Sequence, residues 1–371
     1  MRIARVNFWH LRLSLELRYG DANGLKDHRT TQIVRLETED GVVGWGETFG
    51  YRVMAGQWAA VSELVIGADQ NQINLLVDRV ARIDLSLAAG IDIALWDIKG
   101  KRAGMSLTDL FGGAYRAAQP AYASLQNASE AGDITGAAVA EATRAMELGF
   151  TSLKMKVGWH PVGADIAWTN AVIEALPNGV PLAVDANRAM DLATAKAYVR
   201  GLKHPERISW FEEPLANTSL PPHRELRQAI DIPVSGAETM PAAVIEQVVA
   251  SRAMDIINPD LCGHGGFERL RRLGVLAEAA GIHMVPHVFD GQLARVATLH
   301  FLAARPDWAE RQAAYPASPL ECDISPNALR DELLDLPLKP DADGRIPVPT
   351  GPGLGVEINE ELLRRYAVAS Q

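Results

Sequence analysis

The sequence predicts an α/β protein in which an α+β unit is followed by a parallel (β/α) barrel. Three observations predict it. Residues 30–104 run strands first and helices second. From about residue 120 short apolar β-type runs alternate with helical stretches. Six of those runs carry a charged residue or a histidine at or near their C-terminal ends, spaced by one βα unit.

The elements follow in order. MRIARVNFWHLRLSLELRYG interrupts its apolar residues with Arg, His and Glu, and reads as neither a signal peptide nor a membrane span. TTQIVRLETEDGVVGWGE (30–47) has two β-rich runs around Glu39-Asp40-Gly41, a hairpin signal. GIDIALWDIKGKRAG (90–104) places apolar residues at helical spacing and ends in Gly. The later strands are TSLKMKVG (151–158), PLAVDAN (181–187), ISWFEEPL (208–215), IPVSGAET (232–239), MDIINPDL (254–261) and IHMVPHVF (282–289). Helical stretches such as 132–149 and 266–281 lie between them. Continuous apolar strands suit a sheet buried on both faces. A doubly wound sheet would bind its ligand at one switch point, and no Gly-rich nucleotide loop follows any strand here.

Composition narrows the function. With 371 residues, 48% hydrophobic, the chain can bury a large core and more than one domain. A net charge of -10 argues against nucleic acid as a partner. The two cysteines, Cys262 and Cys322, have no metal-ligand spacing and suit a reducing cytoplasm without disulfides. A soluble cytoplasmic protein is expected, with neither nucleic acid nor membrane as partner.

The strand-end residues are Lys156, Asp185, Glu212, Glu238, Asp260 and His287, at spacings of 29, 27, 26, 22 and 27. Three consecutive strand-end carboxylates, Asp185, Glu212 and Glu238, repel one another unless a cation sits among them. Oxygen-only ligands favour Mg²⁺ or a similar hard ion. Strand alternation puts Trp210 and Glu212 on one face and Glu213 on the other, leaving both glutamates as alternatives for the inward position. Asp260 precedes His287 by one strand, and a carboxylate beside a His fixes its tautomer and steadies its protonated form. Lys154 and Lys156 share one face of TSLKMKVG. The expectation is that Lys154 lowers the pKa of Lys156, making Lys156 a base near neutral pH, while Lys154, one layer deeper, tunes it and touches substrate.

These motifs, with GWGE (44–47), GIDIALWDIKGK (90–101), NPDLCGHGG (258–266) and VPHVF (285–289), resemble the mandelate racemase-like branch of the enolase superfamily along essentially the whole chain. The resemblance implies a modified TIM barrel, (β/α)₇β, under an N-terminal α+β capping domain completed by the C-terminal tail. The implied boundaries are 1–118, 119–328 and 329–371. It implies Mg²⁺ on Asp185, Glu212 and Glu238, selecting Glu212 over Glu213, with Lys156 and the His287–Asp260 dyad on the two sides of the substrate α-carbon. It further implies an acid on the eighth strand that hydrogen-bonds the substrate carboxylate. Glu321 in LECD is the expected residue and Glu310 in DWAER the alternative. Asp260-Leu261-Cys262 stands where the muconate-cycloisomerase-like branch carries a Lys. The implied chemistry is Mg²⁺-dependent abstraction of the proton α to a carboxylate, giving an enediolate. Dehydration or lactone cycloisomerisation of a sugar-derived acid follows, the look of NPDLCGHGGFERL and GPGLGVEIN (351–359) being closest to galactarolactone cycloisomerases and acid-sugar dehydratases. A racemase or epimerase is the alternative enzyme, and a catalytically silent metal-binding scaffold the alternative class. Polar stretches at 18–30 and 48–56 are the expected substrate-choosing loops, for a small anionic sugar acid or lactone. A homo-oligomer, dimer to octamer, is expected.

Overall fold

The computed structural model describes residues 1–50, 55–126, 128–129, 133–289, 291–308 and 317–371. The N-terminal unit is built on an antiparallel sheet. β1 (Ile3–Asp21) and β2 (Gly24–Thr38) form a long hairpin. Its tip is fixed by Asp21, whose Oδ1 accepts the Asn23 N–H at 2.7 Å, and by Gly24 at φ +125°. β3 (Val43–Phe49) pairs with β2 after the expected turn, where Gly41 takes φ +84°. Helices α1 (Ala55–Val65), α2 (Ile73–Val80) and α3 (Leu85–Ala103) belong to the same unit. Asp84 caps α3 through the Leu87 N–H, and Gly104 ends it at φ 63°. The glycines of GWGE let β3 lie directly on α3: a Cβ at Gly44 would meet the Ala94 carbonyl at 2.1 Å, and one at Gly46 the Gly90 carbonyl at 2.0 Å.

After α4 (Leu107–Leu110) a parallel sheet begins with β4 (Ala118–Ser124). A short strand, β5 (Ala128–Ser129), turns back to pair with β1. β6 (Leu153–Lys156), β7 (Leu182–Asp185), β8 (Ile208–Glu212), β9 (Val234–Gly236), β10 (Ile256–Ile257), β11 (His283–Met284) and β12 (Leu320–Asp323) follow. Helices α5 (Ile134–Glu147), α6 (Val162–Ala175), α7 (Leu192–Gly201), α8 (Pro221–Ala229), α9 (Ala242–Ser251), α10 (Phe267–Ala279) and α11 (Gln292–Ala303) connect them one for one. Seven helices thus join eight parallel strands among the described residues, in the order β11-β10-β9-β8-β7-β6-β4-β12. The two outermost strands meet: the Val288 N–H, just past β11, donates to Glu321 Oε2 on β12 at 3.1 Å. A flat sheet would hold those strands roughly 34 Å apart, seven spacings of about 4.8 Å. The sheet is therefore curled until its ends touch.

The strand period of two sorts the side chains. Tyr122, Ala183, Trp210, Ile256 and Val285 form a small buried core of their own inside the curl. Leu153, Met155, Val184 and Phe211 point outward into the large core shared with the helices. After α12 (Ala328–Asp331), β13 (Arg345–Pro347) pairs with β4. α13 (Glu360–Tyr366) leads to β14 (Ala367–Ser370), which pairs antiparallel with β1, so the tail completes the N-terminal sheet. Among the described residues no helix is long and apolar enough to cross a membrane.

Candidate active site

Inward-facing residues stack above the small inner core. Tyr122 and Trp210 meet edge to face at 5.3 Å, and Lys154 Nζ lies 5.6 Å from the Tyr122 ring. Trp210 donates its indole N–H to Glu212 Oε2 at 2.9 Å, which places Glu212 inward and Glu213 on the other face. Lys154 is 1% exposed and bridges Glu212 Oε1 at 2.7 Å and Glu321 Oε1 at 2.8 Å, with Asp185 Oδ2 at 3.8 Å. Lys156 lies one layer nearer the rim and binds Asp185 Oδ2 at 2.6 Å. Asp185, Glu212 and Glu238 reach the same rim. Asp185 and Glu212 turn onto lysines, while Glu238 approaches His287 Nε2 at 3.7 Å. Among the described residues, no three His, Cys, Asp or Glu side chains stand around one point as ligands of an ion.

The dyad forms as expected. Asp260 Oδ2 lies 2.8 Å from His287 Nδ1, while its Oδ1 accepts the N–H groups of Cys262 and Gly263 at 2.6 and 2.9 Å. Burial alone would lower the pKa of His287. Glu238, Glu321 and Asp260 outweigh it and raise the imidazole well above its ordinary value. Two local charge balances bear on the sequence expectations. Burial, the largest influence, and Lys154 push the Lys156 pKa down, but the Asp185, Asp21 and Glu321 carboxylates together raise it above the ordinary value. To hydrogen-bond a substrate carboxylate, Glu321 would carry a proton. Burial favours that form, yet Lys154, His287 and Lys156 hold it below the usual carboxylate range, and it accepts hydrogen bonds instead.

Above these groups opens a cavity of about 400 Å³. Lys156, Glu238 and His287 reach it from the barrel, and the β1–β2 hairpin roofs it with Asp21, Lys26, His28 and Arg29. The stretch at 18–30 is thus strand and turn rather than loop. Arg18 and Asn23 do not line the cavity. Of the 48–56 stretch, Phe49 and Gly50 line it, and residues 51–54 lie outside the described residues, as does Glu310.

Residues 137–362 match the enolase C-terminal domain-like family, and residues 22–112 match the N-terminal domain of the mandelate racemase/muconate lactonizing enzyme family. The chain belongs to the mandelate racemase-like branch of the enolase superfamily. It is 34% identical to a D-galactarolactone cycloisomerase of Agrobacterium fabrum over 99% of both chains. It is 28% identical to an arabinonate dehydratase of Saccharolobus solfataricus over 94% of this chain and 93% of the other. It superposes on a racemase from Streptomyces coelicolor, solved with bound magnesium, with a TM-score of 0.86 and 26% identity, covering 99% of this chain and 100% of the other.

Membership in this superfamily implies a metal, and the donor set fits a hard divalent ion. The three strand-end donors Asp185, Glu212 and Glu238 offer oxygen only, the ligand type such an ion takes, and they crowd their neighbour. Burial and then the charges of Glu238 and Asp185 push the neighbouring Glu213 carboxyl up to about 8, although Arg188 Nε lies 3.1 Å away. The backbone is strained at the same places. Among the described residues five non-glycines take positive φ: Asn187 (43°) and Arg188 (69°) just after Asp185, Glu213 (40°) just after Glu212, Ala237 (80°) just before Glu238, and Arg252 at a helix end. Positive φ thus falls within two residues of each of the three carboxylates.

Sequence reasoning missed Glu47. This buried glutamate of β3 accepts the Ala294 N–H at the start of α11 at 2.9 Å, and its backbone carbonyl lies 3.4 Å from Cys262 Sγ. The cap therefore touches the segments that follow both Asp260 and His287. The last residue of GWGE was the available signal, since the pattern gives no other reason for an acid there.

Proposed function

We propose that this protein removes the proton α to the carboxylate of a sugar-derived acid, with Mg²⁺ held by Asp185, Glu212 and Glu238. The resulting enediolate then loses a β-oxygen, or opens a lactone. One observation carries the reading: Lys156 on β6 and the Asp260-bound His287 beyond β11 reach one cavity from different strands, with Glu238 beside His287. The cycloisomerase and dehydratase relatives support the same choice.

Lys156 Nζ, in its amine form, takes the proton from the α-carbon. A divalent cation at the three carboxylates would supply positive charge to the substrate carboxylate as negative charge builds there, and would compete with the Lys156 ammonium for Asp185. His287 has its Nδ1 on Asp260, so its protonated Nε2 is the atom left for substrate. It gives that proton to the β-oxygen as the carbon–oxygen bond breaks, and the enol left behind tautomerises to a 2-keto acid. Glu321, fully buried, lies 2.8 Å from Lys154 Nζ and holds that lysine in the layer beneath the cavity. Two bases would also serve a racemase, the activity of the superposed Streptomyces protein. A library of acid sugars and sugar lactones, assayed with Mg²⁺ by carbonyl trapping and by polarimetry, separates the two. Keto acid is the expected product. Deuterium uptake at the α-carbon without keto acid, on the best substrate, would establish the epimerase instead.

A further inference from the structure

We infer that Arg29 is the receptor for a second carboxylate at the far end of the substrate, so that the site selects dicarboxylic over monocarboxylic sugar acids. The inference rests on the sugar-acid reading above. Arg29 lies on β2, in the hairpin that roofs the cavity, and lines it with Lys156, His287 and Phe289. Its side chain is only 10% exposed. Nε donates to Tyr19 Oη at 2.6 Å, and Nη2 reaches Ser325 Oγ at 3.3 Å. The guanidinium carbon sits 4.2 Å from the Phe289 ring centre and 4.6 Å from that of Tyr19. The group is therefore fixed in position and orientation before any ligand arrives, and among the described residues no hydrogen bond engages Nη1.

Its charge is incompletely answered. The nearest acid, Asp323, lies 3.5 Å from Nη2. The same carboxylate is closer to Arg330, at 3.0 Å, and also accepts the Ser325 N–H and hydroxyl. One buried carboxylate thus serves two guanidiniums, although Arg330 has a second, half-exposed partner in Asp331. The other cations lining the cavity have acids at shorter range: Lys26 has Asp21 at 3.2 Å, Lys156 has Asp185 at 2.6 Å and His287 has Asp260 at 2.8 Å. His28 is on the exposed Asp27. A buried cation with a shared counter-ion favours the arrival of another anion. A guanidinium accepts a carboxylate better than a hydroxyl, through its charge and parallel N–H groups. The span is suitable. Lys156 Nζ is 5.9 Å from the same Phe289 ring, so the two cations stand no more than about 10 Å apart, within reach of a diacid whose α-carbon is at Lys156.

The test is calorimetric binding to the full-length, Mg²⁺-loaded protein of two matched pairs: galactarate with galactonate, and glucarate with gluconate. The wild type is expected to bind the dicarboxylate of at least one pair about tenfold tighter or more. Arg29→Gln is expected to weaken that dicarboxylate by about 30- to 100-fold, the worth of one charged hydrogen-bonded contact, and the monocarboxylate by less than a tenth of that factor. Arg29→Lys, keeping the charge without the fork, should recover part of the loss. Thermal melts verify folding, and if Arg29→Gln does not fold, the Lys variant must show a loss confined to the dicarboxylate. Equal weakening of both acids, no preference in the wild type, or no binding of any of the four overturns the assignment. Turnover is read separately. Preference that follows Arg29 without any keto acid or epimer formed leaves the receptor standing and refutes the proposed reaction. Turnover without preference does the reverse.

Discussion

Replacing Lys154 by Met tests whether the charge layer beneath the cavity is held together as the distances indicate. Met keeps most of the volume and removes the charge. Glu212 Oε1 and Glu321 Oε1 then lose the ammonium at 2.7 and 2.8 Å, inside a layer where all three groups are at most 1% exposed. Removing one partner from a buried ionic cluster costs about 3–5 kcal/mol, because the remaining charges stay buried and uncompensated. A chain of 371 residues unfolds with an entropy of roughly 0.8 kcal/mol per degree. The expected fall in Tm is therefore ~4–6 °C if cap and barrel unfold together, measured by differential scanning calorimetry in chelator. Lys154→Met/Glu321→Gln should recover part of that loss, since one of the stranded charges goes with it. Tm of the single variant within about 1 °C of the parent, or a double variant that falls by the sum of both singles, would refute the reasoning.

Exhaustive chelation should abolish turnover and Mg²⁺ should restore it, with Glu212→Gln losing far more than Glu213→Gln because only Glu212 faces inward. Activity persisting after metal analysis has found the protein metal-free would contradict the ligand assignment. In D₂O, His287→Asn should retain α-proton exchange started by Lys156, and Lys156→Ala only that started by His287. Asp260→Asn should reproduce much of the His287 loss, and one substitution that abolishes exchange for both stereoisomers with metal still bound would end the two-base scheme. Asp92 is buried and accepts the Phe267 N–H at 2.6 Å, and burial pushes its carboxyl up to about 7 from an ordinary 3.8. The folded state thus holds the proton more tightly than the unfolded chain, so this group's contribution is complete below about pH 4 and is lost as pH rises to about 7. The parent's Tm should fall more across that window than that of Asp92→Asn, and equal slopes would count against the assignment.

The barrel was legible because its chemistry sits where its periodicity breaks. An apolar run that ends in Asp185 or Glu212 declares both a buried strand and the end that carries a site. The charge balance was not legible, because it depends on distances across the curled sheet. Lys154 and Lys156 are two residues apart, and their mutual repulsion was the visible fact. Glu321, which joins Glu212 on Lys154, is 167 residues away, and strand spacing alone gives no means of weighing its effect against that of Asp185 on Lys156. The contacts between cap and barrel were hidden for a related reason. In GIDIALWDIKGK the apolar spacing marks a helix but gives no partner for its two aspartates. Both are buried, and each holds backbone far away in sequence: Asp92 the Phe267 N–H, Asp97 the N–H groups of Trp45 and Leu354. An acid set among apolar residues on every side of a helix has no solvent face to occupy, so it must answer distant donors. The same rule applies to Glu47 in GWGE, and its consequence is functional. Glu47 holds the first turn of α11, Cys262 reaches back to its carbonyl, and the hairpin carrying Arg29 is anchored to Asp323 at the end of β12 and to Ser325 just after it. The cap is thus fastened to the same barrel segments that present Asp260, His287 and Glu321, so an error in docking the cap would displace the acid–base residues as well as the roof over the substrate.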